Sequence, residues 1–231
     1  MVYLKKFSLV SENTENIILC GENRTYFHTQ YLFRIFPKKE FKDIKFSDVT
    51  IIYGGNDSGK STILNIIANK LNCDGSFGVH GEMQMKYLNH CEYETSVEYF
   101  EEDKIIRSDD VFDYISNIRR INSRGFSQRE KLFRKYFDNK NKTIDVKRKS
   151  ASNYVRNRVF DKDVKEQSNG ESALMYFVSE IKENSLYLLD EPENSMSVAM
   201  QLKLTKFLEE SARFFDCQFI IATHSPFLVM L

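Results

Sequence analysis

The sequence predicts an α/β fold in which a mostly parallel sheet is flanked by helices. Three short apolar runs, at residues 49–53, 185–189 and 218–222, have the continuous hydrophobic character of strands that are buried on both faces. Segments with apolar residues at helical spacing follow the first two runs, and another such segment precedes the second. Strands that alternate with helices in this way are typical of a parallel sheet covered on both sides.

The composition fits one domain, which we expect to span residues 1–231. No apolar run approaches the length of a membrane helix, and the first ten residues lack the apolar core of a signal peptide. The four cysteines are scattered without a CxxC pair, which favours free thiols in a reducing compartment over disulfides or a metal site. These features predict a cytoplasmic protein without a membrane segment.

The part of the chain before the first buried strand predicts an antiparallel β region. Residues 2–10 have a strand pattern, residues 13–16 are turn-like, and residues 17–20 form a short apolar strand. Residues 41–46 then lead into the strand at 49–53. Three aromatic side chains in this region could stack on a nucleotide base, but core packing is the favoured interpretation for each. They are Tyr31, Phe33 and Phe36.

The stretch after the strand at 49–53 fits the pattern G-x-x-x-x-G-K-[ST] and opens a helix. Glycines at Gly54 and Gly59 let backbone N–H groups turn inward around a phosphate, and the helix N-terminus adds a positive dipole end. Lys60 supplies a positive charge for the β- and γ-phosphates, and the Ser61 hydroxyl is placed for Mg²⁺. The predicted nucleotide-binding residues are Gly54, Gly55, Asn56, Asp57, Ser58, Gly59, Lys60, Ser61 and Thr62. The alternative is a glycine-rich turn that merely joins a strand to a helix.

The middle of the chain predicts a largely helical insertion. An irregular stretch runs from residue 75 to about residue 110, and helical patterns follow it. These patterns lie at residues 109–121, 127–137 and 151–160. We therefore expect a nucleotide-binding core formed by residues 1–90 and 167–231, with residues 91–166 inserted as a helical lobe.

Two acidic residues follow the strand at 185–189, and His224 follows the next buried strand. Asp190 at the strand end can hold Mg²⁺ through water, and Glu191 can orient and deprotonate an attacking water. The polar turn at residues 168–171, Ser-Asn-Gly-Glu, opens a helix and begins 22 residues before Asp190. Alone, each of these features has an ordinary interpretation as a helix N-cap, a solvated loop start or a hydrogen-bonded polar histidine.

In this order behind a phosphate loop, the motifs resemble those of ATP-binding-cassette (ABC) ATPases. The turn at 168–171 resembles the signature motif of that family, and Asp190 with Glu191 resembles its Walker B element. His224, 33 residues after Glu191, stands where the family has its switch histidine. The resemblance implies a P-loop ATPase fold and the cofactors ATP and Mg²⁺. It implies catalytic roles for Lys60, Glu191 and His224, and metal-binding roles for Ser61 and Asp190.

The resemblance also implies a partner and a mechanism. In the family, two subunits sandwich two ATP molecules in a head-to-tail homodimer, and hydrolysis lets the dimer open. The residues that would contact ATP in the second subunit are Ser168, Asn169, Gly170 and Glu171. Family members usually add another strand and helix where this chain ends, seven residues after His224, so we expect a C-terminally shortened domain.

Details of the motifs resemble the soluble branch of the family, which includes chromosome-maintenance, RecF-like and OLD-type ATPases and short bacterial predicted ATPases. The sequences Asp-Glu-Pro-Glu-Asn-Ser at 190–195 and Thr-His-Ser-Pro at 223–226 differ from those typical of transporter subunits. Residues 119–165 carry a net charge of +11 and the remainder carries −11, which indicates an electrostatically attracted partner. We expect an ATPase switch that acts on DNA or RNA in repair or in defence against mobile elements, beside an effector such as a nuclease. The alternatives are a regulatory subunit that binds ATP and controls a protein effector, and a transporter's nucleotide-binding subunit.

Overall fold

The computed structural model describes residues 1–20, 32–37, 41–76, 82–96, 103–122 and 169–231. For residues 118–122 it describes the backbone only. The described strands are β1 Leu4–Ser8, β2 Asp43–Lys45, β3 Val49–Tyr53, β4 Glu92–Thr95, β5 Asp103–Arg107, β6 Leu186–Asp190 and β7 Gln218–Thr223. The described α-helices are α1 Glu12–Cys20, α2 Lys60–Leu71, α3 Glu82–His90, α4 Ser108–Asn122, α5 Asn169–Glu180 and α6 Val198–Phe214. A short 3₁₀ helix, Leu228–Met230, follows β7.

A four-stranded parallel sheet forms the centre of the described fold. Its strand order is β3-β7-β6-β5, so β3 and β6, which precede the two predicted ATP motifs, lie on either side of β7. Every residue of β7 is buried, as expected for a strand covered on both faces. The parallel sheet predicted from the three apolar runs is therefore confirmed, and β5 is added to its edge.

Side chains that alternate along these strands divide the core between two faces of the sheet. On one face, residues such as Leu188 and Ile220 pack with α2, α3 and the antiparallel sheet. On the other, residues such as Leu189 and Ile221 pack with α4, α5 and α6. This two-sided burial gives a rigid base from which the loops at the strand ends project.

A second, antiparallel sheet has the strand order β2-β1-β4. The fully buried side chain of Gln218 joins it to the parallel sheet, because its Oε1 accepts hydrogen bonds from the backbone N–H groups of Tyr3 and Leu4 at 2.9 and 2.8 Å. Its Nε2 donates to the carbonyl oxygens of Leu4 and Ser47 at 2.9 and 3.0 Å. All four positions of this buried amide are used, which satisfies a polar group that would otherwise destabilise the core. The predicted antiparallel N-terminal β part is confirmed.

Two local predictions in the N-terminal half are wrong. Residues 13–20, predicted as a turn and a short strand, belong to α1, whose N-terminus is capped by Ser11 through a 3.3 Å hydrogen bond from Thr14 N. The cap and two acidic residues in the first turn favour a helix, and they outweigh the apolar run that follows. The stretch from 75 to about 110, predicted as irregular, contains α3, β4 and β5.

The structure describes two of the three aromatic residues considered for base stacking, and it describes part of the predicted insertion. Phe33 and Phe36 are buried in the core, with Phe33 edge-on to Tyr87, so core packing is confirmed for both; Tyr31 lies outside the described residues. Within the predicted insertion at 91–166, the described strands β4 and β5 pair with β1 and β6 and so belong to the two sheets. The predicted helix at 109–121 is confirmed as α4, whereas those at 127–137 and 151–160 lie outside the described residues.

Candidate nucleotide-binding site

The parallel sheet brings the carboxyl ends of β3, β6 and β7 to one edge, where most of the predicted site residues lie. The phosphate loop, residues 54–60, follows β3, Glu191 directly follows β6, and His224 directly follows β7. Because the strands are parallel and in register, these three chain segments leave the sheet at the same level. In open α/β sheets, ligands bind at this edge.

The phosphate loop depends on backbone conformations that few residues adopt. Asp57 and Gly59 have positive φ angles of 60° and 93°. A Cβ atom at Gly59 would lie 3.3 Å from both Ile35 Cγ2 and Phe36 Cε1, so a side chain there would meet steric crowding as well as backbone strain. Glycine at position 59 therefore lets the loop enter α2 while it packs closely on the segment at 32–37.

The ammonium group of Lys60 lies inside this loop. It donates hydrogen bonds to the carbonyl oxygens of Gly54 and Gly55 at 2.9 and 3.0 Å, and its Nζ lies 3.0 Å from His224 Nε2. The residue is only 6% exposed, so its charge acts in a poorly hydrated setting where electrostatic interactions are strong. A positive charge is thus held where the loop would receive phosphate oxygens.

Ser61 and Asp190 form the pair that was predicted to hold Mg²⁺. The Ser61 hydroxyl donates to Asp190 Oδ1 at 2.9 Å across the gap between α2 and the end of β6. Burial raises the pKa of Asp190, and the hydrogen bond from Ser61 opposes that shift. Among the described residues, no group of three or more His, Cys, Asp and Glu side chains could hold a metal. One hydroxyl and one carboxylate suit Mg²⁺, which keeps several waters and phosphate oxygens as its other ligands.

Glu191 is held in a strained backbone conformation beside this pair. Its φ angle is 50°, which is unfavourable for a residue with a side chain, and its N–H donates to the carbonyl of Ala222 at 2.8 Å. Its carboxylate accepts a hydrogen bond from Asn194 Nδ2 at 3.1 Å, and Oε1 lies 2.7 Å from His224 Nε2. The turn therefore aims the predicted general base at the neighbouring loop.

The imidazole of His224 lies between Glu191 and Lys60. Its Nε2 atom is within hydrogen-bond distance of both, at 2.7 Å from Glu191 Oε1 and 3.0 Å from Lys60 Nζ. One imidazole nitrogen either donates or accepts, so a proton on Nε2 pairs it with Glu191 and a lone pair there pairs it with Lys60. The three residues with predicted catalytic roles thus meet around a single nitrogen atom.

Two side chains near this cluster were missed by the sequence analysis. Glu193 Oε1 accepts hydrogen bonds from Thr223 Oγ1 at 2.6 Å, His224 N at 2.7 Å and Ser225 N at 3.1 Å. The only signal for it is a second glutamate in the turn after β6, which alone does not distinguish a buried residue from a solvated one.

The other is Arg107, at the end of β5, beside Asp190 in the sheet register. It is 7% exposed and donates to the carbonyl of Gly75 and to Asn65 Oδ1, both at 2.6 Å, so it joins β5 to the helix that follows the phosphate loop. Burial lowers the pKa of the Arg107 guanidinium. Its place beside Asp190 could not be predicted, because residues 103–107 were not expected to form a strand.

The predicted signature residues lie at the start of α5. Asn169, Gly170 and Glu171 form the first turn of the helix, and Ser168 lies outside the described residues. A Cβ atom at Gly170 would lie 3.1 Å from Met200 Cγ, so the helix start packs closely against α6. The role predicted for these residues in a second subunit stays a prediction.

The basic region predicted to bind a partner, residues 119–165, falls almost wholly outside the described residues. The structure defines the backbone of its first four residues as the end of α4 and nothing of their side chains. None of the described helices is long and apolar enough to cross a membrane.

Two protein-family profiles match the sequence. The profile described as "ABC transporter" matches residues 42–194, which is more than half of the chain. An AAA-domain profile, whose description names the AbiEii toxin and type IV toxin–antitoxin systems, matches residues 163–230. No protein of curated function matches the sequence.

Solved structures with a similar fold include the SMC head domain from Thermotoga maritima. That comparison has a TM-score of 0.51 and 16% sequence identity, and it covers 99% of this chain and 91% of that chain. A nucleotide-free ATP-binding cassette from an ABC transporter gives a TM-score of 0.43 and 18% identity, covering 100% of this chain and 84% of that chain. At these identities, the likeness to the SMC head domain bears on the fold alone.

Proposed function

The chain belongs to the ABC transporter family as an ABC-type ATPase domain, and we propose that it binds ATP with Mg²⁺ and hydrolyses it to ADP and phosphate. The observation that carries this proposal is the 2.9 Å contact between Ser61 and Asp190, which brings a hydroxyl and a carboxylate together beside the phosphate loop. Lys60 precedes Ser61 in the chain and Glu191 follows Asp190, and both side chains lie within hydrogen-bond distance of His224 Nε2.

Each residue has a distinct task in the proposed reaction. Lys60 would exchange the carbonyl oxygens of the phosphate loop for oxygens of the β- and γ-phosphates. Glu191 would orient the attacking water and accept its proton as the bond between the β- and γ-phosphates breaks. Ser61 and Asp190 would hold Mg²⁺, which would supply positive charge to neutralise the phosphate oxygens.

Substitution of the base tests this assignment. Glu191→Gln preserves shape and hydrogen bonding to Asn194 but cannot accept a proton, so hydrolysis should fall by roughly 10²–10⁴-fold while ATP still binds. Phosphate release measures the rate, and calorimetric titration measures binding. The proposal fails if the variant hydrolyses ATP at the wild-type rate, or if the wild-type protein neither binds nor hydrolyses ATP when Mg²⁺ is present.

We further propose that hydrolysis controls a head-to-tail homodimer. Because Glu191→Gln would bind ATP without hydrolysing it, an ATP-dependent dimer should accumulate and be detected by light scattering. Ser168→Arg in the same background should prevent dimerisation and leave ATP binding by the monomer unchanged, since Ser168 would contact the ATP of the other subunit. An ATP-dependent dimer of the double variant would exclude this arrangement.

The proposed biological role is coupling to nucleic acid in repair or in defence against mobile elements. The charge of +11 in residues 119–165 supports a polyanionic partner, and the toxin–antitoxin description of the AAA-domain profile supports a role in defence. Replacement of Lys147, Arg148 and Lys149 by Gln should weaken binding to all nucleic-acid sequences alike. The slope of log affinity against log salt concentration should become shallower by about 0.7–0.9 for each phosphate that the variant no longer binds. Fluorescence anisotropy over a salt series measures both effects. Absence of binding to DNA and RNA at low salt would instead favour a protein effector as the partner.

A further inference from the structure

We propose that Glu193 is a positioning residue that fixes His224 for ATP hydrolysis. This inference rests on the proposed function, because Glu193 would affect ATP hydrolysis only through its effect on His224. The sequence places Glu193 two residues beyond the predicted base and 31 residues before His224. The fold brings it against residues 223–227, here called the His224 loop, which begins at the last residue of β7.

A single oxygen atom of Glu193 holds three consecutive residues of this loop. Oε1 accepts the Thr223 hydroxyl at 2.6 Å and the backbone N–H groups of His224 and Ser225 at 2.7 and 3.1 Å. Glu193 is 8% exposed, so these contacts are shielded from water. Three hydrogen bonds that converge on one oxygen fix the backbone from which the imidazole projects.

The same loop is held from α6 by a second contact. The Ser225 hydroxyl donates to Gln201 Oε1 at 2.7 Å, and Gln201 Nε2 donates to the carbonyl of Met196 at 3.1 Å. This contact holds the Ser225 side chain, whereas Glu193 holds the backbone N–H groups of His224 and Ser225. Glu193, in the turn after β6, and Gln201, in α6, therefore both hold the His224 loop by hydrogen bonds.

The geometry also relates the base to the histidine. Glu191 and Glu193 belong to one tight turn, in which Asn194 N donates to the carbonyl of Glu191 at 3.1 Å. That turn presents one carboxylate to the imidazole of His224 and the other to its backbone N–H. A movement of the turn would consequently shift the base and the histidine together, and Glu193 is the side chain that couples them.

Stability alone does not explain a carboxylate at this position. The second oxygen, Oε2, is buried and has no hydrogen-bond partner among the described residues. Burial of a carboxylate has a large desolvation cost, and a half-satisfied one is a poor means of stabilising a loop. An acceptor oxygen that binds three groups of the His224 loop is better explained by orientation of that loop.

The first test compares an abolishing and a conservative substitution. Glu193→Ala removes all three hydrogen bonds, so kcat should fall by about 10–100-fold, the range found for residues that hydrogen-bond to metal ligands and orient them, with the Kd for ATP unchanged. Glu193→Gln retains an oxygen that accepts the same bonds, and its NH₂ replaces the unpartnered oxygen, so it should keep most of the wild-type kcat. The control is Glu180→Ala, which removes a partly buried carboxylate paired with Lys104 and should leave kcat unchanged.

A double-variant cycle shows whether Glu193 acts through the histidine. If it does, Glu193→Ala combined with His224→Ala should hydrolyse ATP no more slowly than His224→Ala alone. Independent effects that multiply in the double variant would overturn the proposal. Thermal unfolding of each variant ensures that the rates refer to folded protein.

A measurement without ATP separates this inference from the proposed function. In protein labelled with ¹⁵N-histidine, the His224 ring signals, assigned by their loss in His224→Ala, should become averaged in Glu193→Ala and keep their wild-type positions in Glu193→Gln. The ring of His90, which contacts the Lys86 carbonyl at 2.7 Å on α3, is the internal control and should not change in either variant. Unchanged His224 signals in folded Glu193→Ala would overturn the proposal even if the wild-type enzyme is active. If the wild-type protein has no ATPase activity but the His224 ring signals change as expected in Glu193→Ala, only the proposed function would be overturned.

Discussion

The phosphate loop after β3 and the His224 loop after β7 meet at one edge of the parallel sheet, but different interactions determine their shapes. The phosphate loop is shaped by its own backbone, through the left-handed conformations of Asp57 and Gly59. The His224 loop is shaped mainly by side chains from elsewhere, since Glu193 and Gln201 bind its hydroxyl and N–H groups. Two loops that contact each other in one candidate site thus depend on local and on long-range interactions respectively.

This difference separates two requirements of a nucleotide site. A phosphate binds to a fixed array of N–H groups, and such an array needs special backbone conformations but few outside contacts. A histidine that responds to the nucleotide has to be aimed, yet remain able to exchange one partner for another. Nε2 of His224 lies within hydrogen-bond distance of both Lys60 and Glu191, and side-chain hydrogen bonds would hold its loop in place if the proposed reaction exchanged one partner for the other.

The largest effect on the affinity for ATP should follow removal of the charge that joins the two loops. Lys60→Ala eliminates hydrogen bonds to Gly54 and Gly55 and the contact with His224, and it removes the positive charge for the phosphates. Charge-assisted hydrogen bonds contribute about 1.5–3 kcal/mol, so the affinity for ATP should fall by about 10–100-fold or more. Calorimetric titration measures the affinity, and circular dichroism checks that the variant is folded. Unchanged affinity in a folded variant would contradict the assignment of the phosphate loop.

The same difference explains how much of the site could be predicted from the sequence. The phosphate loop is contiguous, and its glycines, lysine and serine stand at fixed spacings, so the pattern alone indicates the residues and their expected roles. The places of Asp190 and His224 could be predicted because each follows a continuous apolar run that forms a strand of the same sheet. Parallel strands end at one edge, so the fold class itself implies that these residues meet.

The contacts that support the site could not be predicted in this way. Glu193 binds residues about 30 positions away, and Arg107 binds Asn65 and Gly75 from a strand that the sequence analysis did not identify. A charged residue in a turn has the same local pattern whether it is solvated or buried, and only the tertiary structure distinguishes the two. The helix α1 was missed for a related reason, because its apolar run resembles a short strand when its capping residue is overlooked.

A matched pair of glycine substitutions tests whether backbone conformation shapes the phosphate loop. Gly59→Ala places a Cβ atom on a residue with a φ angle of 93°, 3.3 Å from Ile35 Cγ2 and Phe36 Cε1. We expect a loss of about 1–3 kcal/mol in the free energy of unfolding and weaker ATP binding. Gly55→Ala is the control, since a Cβ atom there meets nothing within 4 Å. Urea denaturation of both variants should show a large loss of stability for the first and a small one for the second, and equal losses would contradict this account of the loop.

The smallest effect concerns Asp103, at the opposite edge of the sheet, where no nucleotide motif lies. Burial raises the pKa of its carboxyl to about 7, and Oδ1 is buried without a hydrogen-bond partner among the described residues. Because the pKa in the folded state lies above its usual value, near 4, the protonated acid favours folding. Its contribution is therefore fully present below about pH 4 and is lost as the pH rises through about 7.

Asp103→Asn keeps the shape of the protonated acid and cannot ionise, so it should remove this loss of stability between pH 4 and pH 7. The expected result is a higher melting temperature than the wild type at pH 7, with little difference near pH 4, measured by thermal unfolding in both buffers. The affinity for ATP should not change, because the residue lies at the amino end of β5, whereas both loops lie at the carboxyl ends of the strands. A melting-temperature difference that does not depend on pH would show that the Asp103 carboxyl does not titrate in this interval. A change in ATP affinity would show that the two edges of the sheet are coupled, and that the loops depend on more than the contacts that hold them.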